Sequence, residues 1–135
     1  MTTSAVVHVQ FHAADPEKLA AFYSELFGWT AHPVTISHPE SGRSAPYCWL
    51  QFPEQADVSA GITSLGESRS PAVIVEVGDI GATLARAEEL GGKRLEEATH
   101  LELSGLPPAE GNRVMAAIAD PSGNFLGLLE RSSQK

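Results

Sequence analysis

Residues 6–29, VVHVQFHAADPEKLAAFYSELFGW, decide the fold of this 135-residue chain. In the first part of the stretch, apolar Val7, Val9 and Phe11 alternate with polar residues. That period of two is typical of a strand with one buried and one exposed face. The stretch therefore begins with a predicted strand.

A helix is predicted to follow at about 15–28. Asp15 supplies a carboxylate that can accept from the free N–H groups of a first helical turn, and Pro16 suits the first helical position because no N–H is needed there. Gly28 is a natural end, since glycine adopts positive φ without a Cβ penalty. One apolar face is expected from the residues at helical spacing, namely Leu19, Phe22, Tyr23, Leu26 and Phe27.

The strand–helix unit occurs twice. With a shift of 64 positions, residues 8–28 align with 72–92, and Asp15 meets Asp79. The second copy predicts a strand at 73–77 and a helix at about 79–91. An internal repeat of this kind dictates the architecture.

Each half reads as β–α–β–β–β, and the chain as a single domain over 1–135 with module 1 at about 5–65 and module 2 at about 71–131. One helix cannot cover both faces of its sheet, so the fold class is α+β, with the paired βαβββ modules forming a cup-shaped mixed sheet and the helices outside. Residues 98–113 contain two prolines and two glycines and are predicted to be a long loop, a feature that is often functional.

Composition excludes several classes of protein. The net charge of −8 argues against a nucleic-acid groove and against an anionic membrane surface. Cys48 is the only cysteine, which rules out an intrachain disulfide and favours a cytoplasmic location. Neither a secretory signal nor a membrane span is expected.

Three motifs resemble the vicinal oxygen chelate superfamily, which includes glyoxalase I, bleomycin resistance proteins and extradiol dioxygenases. They are ADPE at 14–17 with FY at 22–23 and LFGW at 26–29, VGDI at 77–80 with AEELGG at 87–92, and DPSGN at 120–124 with LGL at 126–128. The resemblance covers nearly the whole chain. It implies the same cup-shaped fold, while one fold hosts many functions.

In metal-dependent members, the resemblance implies four inward ligands from the first, fourth, fifth and last strands. These positions fall on His8, near Gly61, on Ala72 and on Gly127. Only His8 can donate a lone pair, whereas a transition-metal site needs three or more protein ligands. His12 lies about 13 Å along the strand from His8, too far to share a metal with it. We therefore expect no cofactor and no divalent metal.

Strand parity groups residues by face, and the geometry that the resemblance implies turns certain faces toward the cup. The residues expected to line it are His8, Gln10, His12, Trp49, Ala72, Ile74, Glu76, Phe125, Gly127 and Leu129. Val9, Val73, Val75, Leu126 and Leu128 are expected under the helices. The mixed lining is typical of a small-molecule pocket. Small residues at 61, 72 and 127 leave room there, unless the 98–113 loop and Trp49 fill the cup.

Three function classes follow. The first is a glyoxalase/bleomycin resistance-like protein that binds a small organic molecule in its cup without a metal. The second is an unorthodox enzyme that uses His8 with Glu76, and the third is a metal-dependent lyase, isomerase or dioxygenase that uses His8. Acidic residues in the 98–113 loop and at Glu97 favour a partly aromatic or cationic ligand. The partners expected are that ligand and a second copy of the chain in a homodimer, with no nucleic acid and no membrane.

Overall fold

Eight strands and two helices are present in the computed structural model, which describes residues 3–54, 57–64, 71–106 and 112–131. They are β1 (Ala5–His12), α1 (Pro16–Phe27), β2 (Thr30–His38), β3 (Arg43–Gln51), β4 (Ser59–Thr63), β5 (Ala72–Glu76), α2 (Ile80–Glu89), β6 (Lys93–Ser104), β7 (Asn112–Ala119) and β8 (Phe125–Arg131). The strands close into a barrel in the order β1-β4-β3-β2-β6-β7-β8-β5. The predicted fold class, paired βαβββ modules in a curved mixed sheet, is confirmed.

The two modules cover one another's edges. β1 pairs with β4 and β5 with β8 in parallel, and the remaining pairs are antiparallel. The modules meet at a β1–β5 junction and a β2–β6 junction. Because a closed sheet leaves no unpaired strand edge, the barrel is complete within one chain.

The β1–β5 junction shows the repeat directly. Val9 lies opposite Val73, its own equivalent in the second module. On either side of that pair, His8 faces Ile74 and Gln10 faces Ala72. The duplication thus brings the two inner faces, which carry the predicted site residues, side by side.

Both helices begin where the sequence predicts. The Asp15 carboxylate accepts from the backbone N–H of Lys18 at 3.2 Å, and the Asp79 carboxylate accepts from that of Ala82 at 3.0 Å. The second helix has an additional acceptor, because Glu130 Oε1 receives the N–H of Ile80 at 2.8 Å. α1 ends at Gly28, whose φ of 75° is the left-handed conformation expected there.

Apolar side chains form three buried clusters. Two lie between a helix and the outside of the barrel: Ala20, Cys48, Leu50, Ala60 and Ile62 under α1, and Ile80, Leu84, Ala116 and Leu128 under α2. The third lies inside the barrel and consists of Val34, Ile36, Tyr47, Trp49 and Leu103.

The apolar face of α1 is wider than the surface that it buries. Phe22, Leu26 and Phe27 belong to the predicted apolar face of the helix, but they are 56%, 59% and 55% exposed. The helix approaches the sheet through the small side chain of Ala20, which packs in the same cluster as Leu50. Only a narrow stripe therefore reaches the sheet.

The prediction for Val73 is also wrong, since this residue is 37% exposed. α2 packs on β6, β7 and β8, and Val73 in β5 lies beyond that contact. Val75 and Leu128 do pack under α2, Val9 packs in the cluster under α1, and Leu126 is half-buried.

The long loop expected at 98–113 is largely strand. β6 continues to Ser104. It pairs with β7 as far as Glu102, and its last residues pair with β2, where Thr35 lies opposite Ser104. Backbone pairing on both sides outweighs the weak local propensity of this segment. Residues 107–111 of the segment that was expected to fill the cup lie outside the described residues.

The two helices contain 12 and 10 residues. Within the described ranges, no helix has both the length and the apolar character needed to cross a bilayer.

Candidate functional site

The inner face of the barrel brings together the residues that strand parity selected. β1 contributes His8, Gln10 and His12, β5 contributes Ala72, Ile74 and Glu76, and Trp49 lies on β3. β8 contributes Phe125, Gly127 and Leu129. His8, Trp49, Ala72, Ile74, Gly127 and Leu129 are buried, while Gln10, His12, Glu76 and Phe125 are half-buried.

His8 is held from both sides by hydroxyl groups. Its Nδ1 lies 2.7 Å from Ser59 Oγ, and its Nε2 lies 2.8 Å from Tyr47 Oη. Tyr47 in turn donates to Gln10 Oε1 at 3.4 Å. Whichever ring nitrogen carries the proton, each has a hydroxyl within hydrogen-bond distance. Both ring nitrogens are therefore engaged.

The protein environment of His8 and Tyr47 keeps both side chains neutral. Burial, aided by the positive charges of Arg113 and Arg131, lowers the pKa of His8 to about 3. Burial also raises the pKa of the Tyr47 hydroxyl well above its usual range. A neutral imidazole between two hydroxyls is a fixed polar element, and its lowered pKa makes it a weak base near pH 7.

The room expected at the two glycines is taken by neighbouring side chains. A Cβ at Gly61 would collide with the Tyr47 hydroxyl and ring, and a Cβ at Gly127 would collide with Ile74 Cδ1. Tyr47 crosses from β3 over the adjacent strand β4, while Ile74 crosses from β5 over β8. The two glycines permit this close packing and do not create an open space.

Comparisons with known proteins agree with this architecture. A family model described as a glyoxalase-like domain matches residues 7–129. The chain belongs to the glyoxalase-like domain family. The resemblance found in the sequence is thereby confirmed. A search of curated proteins gives no match.

Solved structures share the fold of this glyoxalase-like domain at low sequence identity. A hypothetical protein from Bacillus halodurans is 14% identical, with a TM-score of 0.68 and 99% of each chain covered. Methylmalonyl-CoA epimerase from Mycobacterium tuberculosis is 21% identical, with a TM-score of 0.67 and coverage of 98% of this chain and 93% of that one. A glyoxalase/bleomycin resistance protein/dioxygenase superfamily member from Vibrio splendidus is 15% identical, with a TM-score of 0.56 and coverage of 95% and 99%.

The residues of this glyoxalase-like domain do not fit a metal at the four ligand positions. Both ring nitrogens of His8 are already engaged, Nδ1 with Ser59 Oγ and Nε2 with Tyr47 Oη. Position 72 is alanine, and Tyr47 and Ile74 occupy the space over Gly61 and Gly127. Within the described ranges, no group of three or more His, Cys, Asp or Glu side chains is placed to hold a metal ion.

Two arginines enter the barrel of the glyoxalase-like domain, and our sequence analysis missed both. Arg113 is only 5% exposed, and its guanidinium lies 5.5 Å from the centre of the Trp49 ring. Arg131 Nε donates to Glu76 Oε2 at 2.8 Å. The signal for them was the same alternation: Arg113 precedes Met115 and Ala117 on one face of β7, and Arg131 follows Leu129 on β8.

The acidic residues that suggested a cationic ligand lie elsewhere. Glu97 accepts from Arg94 at 3.0 Å on the surface, and Glu102 is exposed. His100 lies opposite Val114, which packs under α2 outside the barrel, and Glu110 is outside the described residues. Glu76, which does face inward, is paired with Arg131. The preference for a partly aromatic or cationic ligand stays a prediction.

Cys48 and the outer groove offer no second site. Burial raises the pKa of the Cys48 thiol, as expected of an inert cysteine. A groove of about 630 Å³ runs along the outside of α2, between Leu90 and Pro121. Its carboxylates already maintain the fold, since Asp79 caps α2 and Asp120 accepts from the backbone of Ser122.

Proposed function

We propose that this glyoxalase-like domain binds a small organic molecule inside its barrel without the help of a metal. The observation that carries the proposal is the Ser59–His8–Tyr47 network, which engages both nitrogens of His8, the one side chain among the four ligand positions that could ligate a metal. It leaves a fixed set of polar groups in an aromatic surround, where His8 lies 5.0 Å from Trp49 between ring centres. Such an arrangement is typical of ligand recognition.

Half-buried residues on the inner face support the proposal. Gln10, His12 and Met115 all point into the barrel, yet each is partly accessible. His12 Nε2 is buried and has no hydrogen-bond partner within the described structure. An unsatisfied buried polar atom is costly, and a ligand that pairs with it would remove that cost.

The enzymatic alternatives have less support. A metal-dependent lyase, isomerase or dioxygenase needs the ligand set that positions 61, 72 and 127 lack. Some structural neighbours are named as epimerases, but an isomerase reaction on this chain would need a base. The lowered pKa of His8 makes it a weak base near neutral pH, and Glu76 is bound to Arg131. A cytoplasmic location stays a prediction.

Elemental analysis combined with a thermal-shift screen tests the proposal. Protein purified without chelator should contain no stoichiometric zinc, nickel, iron or manganese, and EDTA should leave its Tm unchanged. A library of small aromatic and aliphatic compounds should contain stabilisers whose effect persists in EDTA. That effect should fall in Gln10→Ala and persist in the surface variant Gln51→Ala.

Two results would reject metal-free binding. One is an equivalent of bound metal that disappears in His8→Ala. The other is a full screen in which no compound raises the Tm of the wild-type protein.

A further inference from the structure

Two polar side chains stand next to one another on the inner face of β1. Gln10 and His12 are two positions apart on this strand, a separation of about 7 Å. Both are half-buried, whereas His8 on the same face is only 4% exposed. The part of this face that a small molecule can reach therefore lies at the end of β1 that contains Gln10 and His12.

Hydrogen-bonding capacity is left over at these two residues. Within the described structure, Gln10 Oε1 lies 3.4 Å from Tyr47 Oη, and the amide nitrogen of Gln10 bonds to no described group. His12 Nε2 is buried and has no hydrogen-bond partner there either. Both nitrogens of His8, by contrast, are engaged. A ligand at this end of β1 would therefore meet polar groups that are able to bind it.

The imidazole of His12 can adapt to such a ligand. The torsion about its Cβ–Cγ bond is soft, and the residue as a whole is half-buried, so a turn of the ring can bring Nε2 to the accessible side. Either ring nitrogen can carry the proton, which allows Nε2 to donate or to accept. Pairing would also remove the cost of leaving this atom buried without a partner.

The strand neighbours of Gln10 and His12 carry no charge. On β4, the partners of these two residues are Gly61 and Thr63. On β5, the partner of Gln10 is Ala72. An unpaired charge costs far more to transfer from water into a protein interior than a neutral polar group that keeps its hydrogen bonds. The ligand group that fits here is therefore uncharged.

Apolar groups border the same place. The single methyl group of Ala72 cannot cover the Gln10 amide on the β5 side. Phe125 is half-buried and directly precedes Leu126, the β8 partner of Val73, so it lies beside Ala72 on the inner face. A ligand that reaches Gln10 would therefore place its remaining atoms against an apolar wall.

We infer that the ligand is an uncharged carboxamide with an apolar portion, and that Gln10 and His12 bind its amide group. The inference rests on the proposed function and specifies its ligand class. A carboxamide carries an acceptor oxygen beside its N–H donors. Its oxygen can accept from the amide nitrogen of Gln10 while one of its N–H groups donates to Nε2 of His12.

Matched probes test the inference. Phenylacetamide, phenylacetone and phenylacetate share one ring: the ketone keeps the carbonyl without an N–H group, and the carboxylate adds a charge. Hexanamide and hexanoate form an aliphatic pair. Binding is followed by the Tm and by Trp49 fluorescence in a Trp29→Phe background, since Trp49 lies opposite Gly61, the β4 partner of Gln10. The amides should bind about fivefold or more tightly than the ketone and the carboxylates, and added salt should leave their affinity unchanged.

Variants assign the effect to the two residues. His12→Phe should abolish the preference for amide over ketone, and it should not lower the Tm of the ligand-free protein, because it removes an unsatisfied buried atom. Gln10→Leu should weaken amide and ketone alike, since both present a carbonyl oxygen. The control His100→Gln, opposite Val114 on the outer side of the barrel, should behave as the wild type.

Nitrogen NMR of the wild-type protein gives a second test if a variant fails to fold. Phenylacetamide should shift the ring nitrogens of His12 and leave those of His100 unchanged. Unshifted His12 signals in the presence of bound amide would overturn the inference.

The possible failures are distinguishable. If the ketone or a carboxylate binds as tightly as its amide, or if the wider screen yields stabilisers and no amide binds, the carboxamide inference is overturned while the proposed function stands. If no probe binds and the wider screen yields no stabiliser, both are overturned.

Discussion

At the scale of single residues, the buried imidazole of His8 makes the fold sensitive to acid. Its folded-state pKa of about 3 is below the ordinary value of 6.5, so the unfolded chain takes up a proton that the folded chain excludes. Stability is therefore fully present above pH 6.5 and is lost as the pH falls toward 3. Each unit in that window should remove about 1.4 kcal/mol of unfolding free energy.

Urea denaturation at several pH values measures this slope. His8→Gln should flatten it between pH 6.5 and 4, whereas His32→Gln, whose imidazole bonds the exposed Gln51 side chain, should retain it. Equal slopes in wild type and His8→Gln would contradict the role assigned to His8.

Close packing between Tyr47 and Gly61 gives a second prediction. Gly61→Ala should destabilise the protein by about 2 kcal/mol, because the new methyl group requires the buried phenol to move. In a Tyr47→Ala background the same substitution should have little effect, so the two changes should couple strongly in a double-mutant cycle. Gly78→Ala, which meets no atom within 4 Å, is the control.

At the scale of elements, the two helix caps should differ in importance. Asp15 is the side-chain cap found for α1, whereas Asp79 shares the first turn of α2 with Glu130. Asp15→Ala should lower the unfolding free energy by about 1 kcal/mol, and Asp79→Ala by less. Chemical denaturation would measure both, with Glu25→Ala on the exposed side of α1 as the control. A larger loss for Asp79→Ala would show that Glu130 does not share the capping role.

The same elements show why much of the fold could be predicted. Some features are local patterns: the caps at Asp15 and Asp79 and the alternation in β1 and β5. They can be recognised in the sequence without knowledge of the partner strands. The continuation of β6 is different, because Thr99, His100 and Glu102 have no strong strand signature. Their conformation comes from pairing with β7 and β2, which local sequence does not reveal.

The candidate site likewise has some features that could be predicted from the sequence and others that could not. Parity placed His8, Gln10 and Glu76 on the inner face because that assignment needs only one strand at a time. It could not show that Tyr47 fills the space over Gly61, since the two residues belong to different strands. Arg113 was missed because a charged side chain usually points outward, and the Trp49 ring that accommodates it is distant in sequence.

At the scale of the whole molecule, the closed barrel changes the argument for a homodimer. A second copy is not needed to cover sheet edges, because each module covers those of the other. The exposed side chains of Phe22, Leu26 and Phe27 supply a different motive, since a cluster of large apolar groups on a helix is typical of an interaction surface. We propose that α1 packs against α1 of a second copy.

Light scattering tests this assembly. The wild-type protein should show twice the 14.3 kDa mass of the chain, and Phe22→Glu combined with Leu26→Lys should return it to a single copy. Leu90→Glu, at an equally exposed position just after α2, should leave the mass unchanged. A wild-type mass of one chain would exclude the homodimer.

The two junctions between the modules differ in extent, and this difference should affect how fast a molecule enters and leaves the barrel. Among the described residues, five pairs join β1 to β5 and three join β2 to β6, and the β6–β7 ladder is interrupted twice. Transient separation of β2 from β6 should therefore be the easiest way to admit a molecule to the interior. Amide protons along that junction should exchange with solvent faster than those between β1 and β5. Occupancy of the barrel should slow this exchange and lengthen the residence time of the bound molecule.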